Sequence, residues 1–349
     1  MAANNRRLHV SRRRLVQAAS AAGLGLLAGC GRWPGQARQP PADLPIIGYL
    51  TSSAPHAGDS GDSTEPTLVE QIEALRQGLA ALGYEEGQNF LLDYRVTDRD
   101  EAPLGAAAAD LLRRGVAVIV AQGLPAILAA KGATSTIPIV FPATADPVGS
   151  GLVASLARPG GNVTGLANLV AQLSGKRLEL LGQVVPNLRQ VAFLWDPSTP
   201  ARLVQELDAA GAALGLRVQL LETHDVTDLD AAFEAAAAAQ ADALMTSTGR
   251  VARYRTRVVS LAASHRLPAM YHNSLPVREG GLMSYGANVL DLHRRAAYYV
   301  DRILKGARPA DLPVEQPTRF DFIINLQTAQ ALGLTIPQHV LLQATEVIQ

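Results

Sequence analysis

The chain has 349 residues, 48% of them apolar and 18% charged, with 31 basic and 31 acidic side chains and one cysteine. That is long enough for two domains around sizeable cores, and the lone cysteine excludes an intrachain disulfide or a Cys-rich zinc site. Five arginines and no acid lie within the first 30 residues, leaving 26 basic against 31 acidic residues beyond them. A mildly acidic body without a basic stripe excludes nucleic acid as a partner.

The first element is "SRRRLVQAASAAGLGLLAGC", Ser11 to Cys30. Its apolar run, Leu15 to Gly29, is short for a helical membrane span. Arginines before it and small residues at its end give the n-region, h-region and cleavage order of an export signal. Ser11-Arg12-Arg13-Arg14-Leu15 resembles a twin-arginine motif, and Leu27-Ala28-Gly29-Cys30 resembles a lipobox. By that resemblance residues 1–30 are a signal peptide and Cys30 becomes the lipid-bearing first residue of a membrane-anchored, periplasmic or otherwise extracytoplasmic protein. Acyl chains contribute about 0.8 kcal/mol per buried CH₂. Residues 31–44, "GRWPGQARQPPADL", are rich in Pro, Gly and polar groups and read as a tether.

From residue 45 onward β-type runs alternate with helical ones. The first series is "PIIGYL" (45–50), "FLLDYRV" (90–96), "VAVIVAQG" (116–123) and "IPIVFPA" (137–143), with an amphipathic helix over Leu68–Leu82. The second series is "QVAFLWDP" (190–197), "RVQLLET" (217–223), "ADALMTST" (241–248) and "LPAMYHN" (267–273). Continuous apolar strands joined by helices imply an α/β fold with parallel sheets covered on both faces. The repeat extends to the connections, so two lobes of one architecture are expected. Three segments are candidates for joining them: "GNVTGLA" (161–167), "GGLMSYGA" (280–287) and "PVEQPTRFDFIIN" (313–325). More than one crossing gives a hinge.

Ligands of open parallel sheets sit beyond the strands' carboxyl ends. There the first half offers Ser52, Ser53, Gln122, Gly123, Leu124, Thr144 and Asp146, and the second Ser247, Thr248 and Asn273, with Trp195 and Tyr271 as candidate walls. These loops are rich in small donors suited to a polar small molecule. The same groups cap helices, and Asp146 before Pro147 reads as a cap more readily than as a general base. No G-x-S-x-G, H-E-x-x-H, P-loop or C-x-x-C motif occurs, so no catalytic residue, cofactor or metal is assigned. His265 and His272 lack a third ligand, and a hydrolase using Asp146 with His272 is the one enzymatic alternative.

"DPVGSGLVASLARPGGNVTGL" (146–166), "LRQGLAALGYEEGQN" (75–89) and the long run from Gly280 to Pro337 resemble the ABC-transporter substrate-binding lipoproteins that include tryptophan and tyrosine uptake receptors. The resemblance covers Ile46 to Gln349. It implies two Rossmann-like lobes of the type I periplasmic-binding-protein kind joined by three crossings, with 45–161 plus 286–312 as one lobe and 162–285 plus 313–349 as the other. It also implies a small-molecule solute, such as an amino acid, delivered to an ABC permease whose ATPase is a separate chain. A sensor that feeds a signalling receptor is the alternative output. The family's Gly-Thr-Pro-Ala loop becomes Gly123-Leu124-Pro125-Ala126, with Leu124 in place of a hydroxyl.

Overall fold

The computed structural model describes residues 44–51, 68–97, 101–197, 199–248 and 250–349. The signal segment, Cys30, most of the tether, Ser52 and Ser53 lie outside the described residues.

The chain opens with β1 (Ile46–Thr51), α1 (Leu68–Ala81), β2 (Leu91–Val96), α2 (Glu101–Arg113), β3 (Val118–Gln122), α3 (Leu124–Ala133), β4 (Ile139–Thr144) and β5 (Val163–Ala167). These strands form a wholly parallel sheet in the order β2-β1-β3-β4-β5. Ile47, Tyr49, Val118 and Val120 enter one core cluster, whereas Leu50, Ile119 and Ala121 enter another. The period-two side chains of one apolar run thus fill both faces, and this explains why the run shows no polar alternation.

The second series comprises α4 (Ser174–Val184), β6 (Gln190–Trp195), α5 (Ala201–Ala213), β7 (Arg217–Glu222), α6 (Asp228–Ala238), β8 (Ala243–Thr246), α7 (Arg250–Arg253), α8 (Arg255–Ser264), β9 (Ala269–Tyr271), α9 (Leu275–Arg278) and β10 (Met283–Ala287). Then come α10 (Val289–Leu304), a 3-10 turn at Pro309–Asp311, β11 (Phe320–Asn325), α11 (Leu326–Leu332), α12 (Gln338–Leu341) and β12 (Glu346–Ile348). The second sheet runs β12-β11-β10-β9-β8-β6-β7. Val191 and Phe193 face the cluster under α4, and Ala192 and Leu194 the cluster on the other side.

Two expectations need correction. The first lobe does not end at residue 161: "GNVTGLA" is largely β5, an edge strand parallel to β4 with all five residues buried. Nor is the second sheet wholly parallel, because β11 runs antiparallel to β10. Its chain returns from the first lobe by a direct crossing without a βαβ loop, so it enters from the opposite end.

Between β10 and β11 the chain visits the first lobe. There α10 lays Leu292, Ala296, Tyr299, Val300 and Ile303 against α1 and the sheet at β4 and β5, and 312–315 runs beside β5. Thr164 Oγ1 donates to Leu312 O at 2.7 Å, and Ala167 N to Glu315 O at 2.8 Å. The crossings between the sheets are therefore the stretches 168–173, 286–288 and 316–319. All three meet the carboxyl ends of β5 and β10 or the amino end of β11, so these edges of both sheets lie at the hinge.

Candidate functional site

The three crossings are tied together by side chains that strand patterning does not reveal. Arg177 on α4 is 2% exposed. Its Nε donates to Tyr285 O and its Nη1 to Val170 O, both at 2.7 Å, joining the first two crossings. Burial lowers the Arg177 pKa to about 9, which leaves it cationic at neutral pH. Asn288 caps α10 through Asp291 N at 2.7 Å, and its Nδ2 donates to the Asp321 carboxylate at 3.0 Å, joining the second and third.

Against this hinge lies a cavity of about 990 Å³. Glu70 of α1 lines it from the first lobe, and Asn273, Ser274, Arg278, Asn288, Arg319 and Asp321 are among the groups on the other walls. Both signs of charge are present. Arg278 pairs with Glu346, and Arg319 Nη1 lies 3.5 Å from Asp291 Oδ1. A site lined this way suits a polar, zwitterionic or hydrogen-bonding solute.

Of the expected site residues that are described, Asn273 is the one that lines this cavity. Its Oδ1 accepts from Leu275 N at 3.2 Å, so its Nδ2 is the atom 3.1 Å from His272 Nε2. Gln122 ends β3 half-buried, with Oε1 accepting from the Tyr49 hydroxyl. His293 Nε2 lies 3.3 Å from the same oxygen, and His293 Nδ1 donates to Val289 O at 2.9 Å. Burial pushes the His293 pKa down to about 4. Gly123 and Leu124 form the start of α3, which has Pro in its first turn and no side-chain cap.

The other candidates are spent on their own loops or on the core. Thr144 is buried, and its carbonyl accepts from Asn168 N at 2.9 Å. Asp146 caps a turn, with Oδ1 accepting from Gly149 N at 2.8 Å. Ser247 is fully buried, and its hydroxyl donates to Thr248 O at 3.1 Å; Thr248 is half-buried. Tyr271 is 1% exposed and packs in the core, so it is not a wall of the large cavity. It lines a separate cavity of about 90 Å³ with Thr246 and Asn273. Trp195 packs on the cluster beneath α4, with Nε1 buried and unpartnered. Among the described residues no hydrogen bond joins Asp146 to His272, so the pair on which a hydrolase reading depended is not assembled.

Sequence reasoning missed Arg177, Tyr49, Asn288, His293, Arg319 and Asp321. Arg177 sits in "SGKRLELL", which reads as a solvated helix start, and nothing local marks one of its two cations as buried. Asn288 carried a usable signal: an Asn before "VLDLHRRAAYYV" is an N-cap.

Comparison with known proteins identifies the arrangement. A family model described as ABC transporter substrate binding protein matches residues 64–348. The Tyrosine-binding protein of Clostridioides difficile is 26% identical over 272 residues, covering 77% of this chain and 78% of its own. Among solved structures, an ABC domain in complex with L-Trp from Streptococcus pneumonia superposes with a TM-score of 0.78 at 28% identity, covering 87% of this chain and 100% of that one. A conserved domain protein from Vibrio cholerae gives 0.77 at 29% identity, covering 87% and 99%.

Proposed function

The chain belongs to the ABC transporter substrate-binding protein family and has its two-lobed type I periplasmic-binding fold, and from that premise we propose that it captures an α-amino acid between its lobes for import. The observation that carries this reading is the polar cavity at the hinge, which takes its lining from both lobes and holds charges of both signs. Contacts to both lobes exist together only when the lobes approach, so solute binding favours the closed arrangement by its differential affinity. The relatives that bind L-Trp and tyrosine support an amino acid as the solute class.

In this reading Cys30 carries the lipid that holds the mature receptor at the membrane surface after export. The solute passes to a permease with separate ATPase subunits. Among the described residues no helix is long and apolar enough to cross a membrane, and the anchoring role falls to the segment before residue 31.

A thermal-shift screen of the twenty amino acids, purines and small carboxylates tests the capture step. A solute that binds only the folded state adds about 2.7 kcal/mol of stability at a hundred times its Kd. The expected result is a saturable shift with one or a few amino acids, aromatic ones first. A flat response across the library from demonstrably folded protein contradicts it.

A further inference from the structure

Hydrogen-bond accounting at the base of the hinge leaves a set of donors with nothing to accept from them. Arg177 Nη2, His272 Nδ1, Ser174 Oγ and Trp195 Nε1 are all buried and all without a partner. They share one side of the second sheet. Trp195 packs on the cluster that α4 covers, and Ser174 precedes Arg177 by three positions on α4, the spacing of one helix face. His272 follows Tyr271 at the end of β9, near enough to Arg177 that the guanidinium charge acts on its ring, and Gly286 packs on the backbone of His272 beside Arg177 Nη2.

The proton inventory gives the sign of the site. Asn273 Nδ2 donates to His272 Nε2, since Asn273 Oδ1 is already engaged by Leu275 N. The His272 ring is neutral, because burial and the Arg177 charge lower its pKa to about 3. Its one proton is therefore on Nδ1, and Nδ1 is a donor. Nη2 of a guanidinium and Nε1 of an indole are donors only. Among the described residues no carboxylate pairs with Arg177. Its two recorded bonds go to neutral carbonyls, and a buried cation without a counter-charge is strongly disfavoured. Ser174 also opens an eleven-residue helix whose positive end favours an anion.

Gly286, which lines the large cavity, connects the two regions. A Cβ there would stand 2.0 Å from His272 O and 4.0 Å from Arg177 Nη2. Gly286 thus borders both the cavity and the Arg177 guanidinium.

We propose that Arg177, His272 and Ser174 form a seat for a small anion at the hinge end of the cavity. Either the carboxylate of the captured solute or an inorganic halide has the required chemistry, and the first of these rests on the capture reading above. An anion here neutralises the arginine that holds the first two crossings together.

The test is an anomalous-scattering experiment on crystals of the whole protein grown without halide and soaked in sodium bromide, with and without a saturating amino acid. The expected result is a bromide peak within hydrogen-bond reach of Arg177 Nη2 and His272 Nδ1. Displacement of that peak by a carboxylate oxygen identifies the solute as the source, and coexistence with bound solute identifies a resident halide. Two variants, Ser174→Ala and His272→Phe, should each weaken bromide occupancy about tenfold, the loss of one charge-assisted bond. A seat that holds only water in both crystals, or bromide occupancy unchanged by the variants, overturns the proposal. If amino acid occupies the cavity while the seat is dry, the seat falls and capture stands. If bromide fills the seat and no amino acid binds, the reverse holds.

Discussion

Two buried histidines make the protein sensitive to acid. The His272 pKa is lowered from 6.5 to about 3 by burial and by Arg177, and that of His293 to about 4 by burial. The unfolded chain takes up these protons first as pH falls, so it binds more protons than the folded chain between pH 6.5 and the folded values. Stability is then complete above pH 6.5 and declines as pH drops toward 4, by up to about 1.4 kcal/mol per pH unit for each histidine. Urea denaturation at stepped pH should show this slope, and His293→Gln should make it shallower; an unchanged slope in the variant assigns the acid sensitivity elsewhere. Arg177 is the other decisive residue. Arg177→Met leaves Val170 O and Tyr285 O without their donor, at about 1–3 kcal/mol for each buried acceptor. The urea midpoint should fall accordingly, and a wild-type midpoint would show that the hinge does not depend on these bonds. At this scale the sequence was least readable. Gln122 and Asn273 could be placed at strand ends by rule, but the partners that orient Gln122, Tyr49 and His293, come from β1 and from α10, far along the chain.

Among the elements, α10 is the one that fastens the lobes. It begins at the second crossing, yet its apolar face belongs to the first lobe's core. Its contact with α1 is close enough that a Cβ at Gly78 would lie 2.2 Å from Arg294 O and 2.7 Å from Ala297 Cβ. Alanine is a better helix former than glycine by about 1 kcal/mol, but here overpacking against backbone costs about 1–3 kcal/mol. Gly78→Ala should therefore lower Tm by several degrees in calorimetry, whereas a rise would mean that the two helices separate freely. Asn288→Ala removes both the α10 cap and the bond to Asp321. It should cost about 1–2 kcal/mol, read as a lower urea midpoint with the m-value unchanged. The elements of the repeated βα units were legible because both sheet faces demand apolar runs at regular spacing. The segments 161–167 and 280–287 read as linkers because their glycines mask short strands. In β5 a Cβ at Gly165 would stand 2.0 Å from Phe141 O, so the residue that looked like a loop signal is a close-packing requirement inside the sheet.

For the whole molecule, two lobes joined by three crossings follow from duplicated βα units, and the duplication was visible in matching loops such as "ALGYEEGQN" and "ALGLRVQ". The position of the cavity was less visible. Strand-end rules placed the ligand over β1, β3, β4, β6, β8 and β9, while the large cavity meets that set at Asn273 after β9 and extends toward β10 and the antiparallel β11, where Arg319 and Asp321 line it. The proposed membrane anchor is tested on the intact chain. Cys30→Ala should shift the exported protein from the membrane to the soluble fraction, and equal membrane retention in the variant would remove the lipid anchor from the account. Capture between the lobes is tested most directly by a crystal structure with the amino acid that gives the largest thermal shift. The account predicts solute density in the hinge cavity, touching Asn273 on one side and first-lobe residues on the other, with the sheets closer together than in the unliganded protein. Solute bound to a single lobe or outside the cavity, with the lobes unmoved, would contradict it.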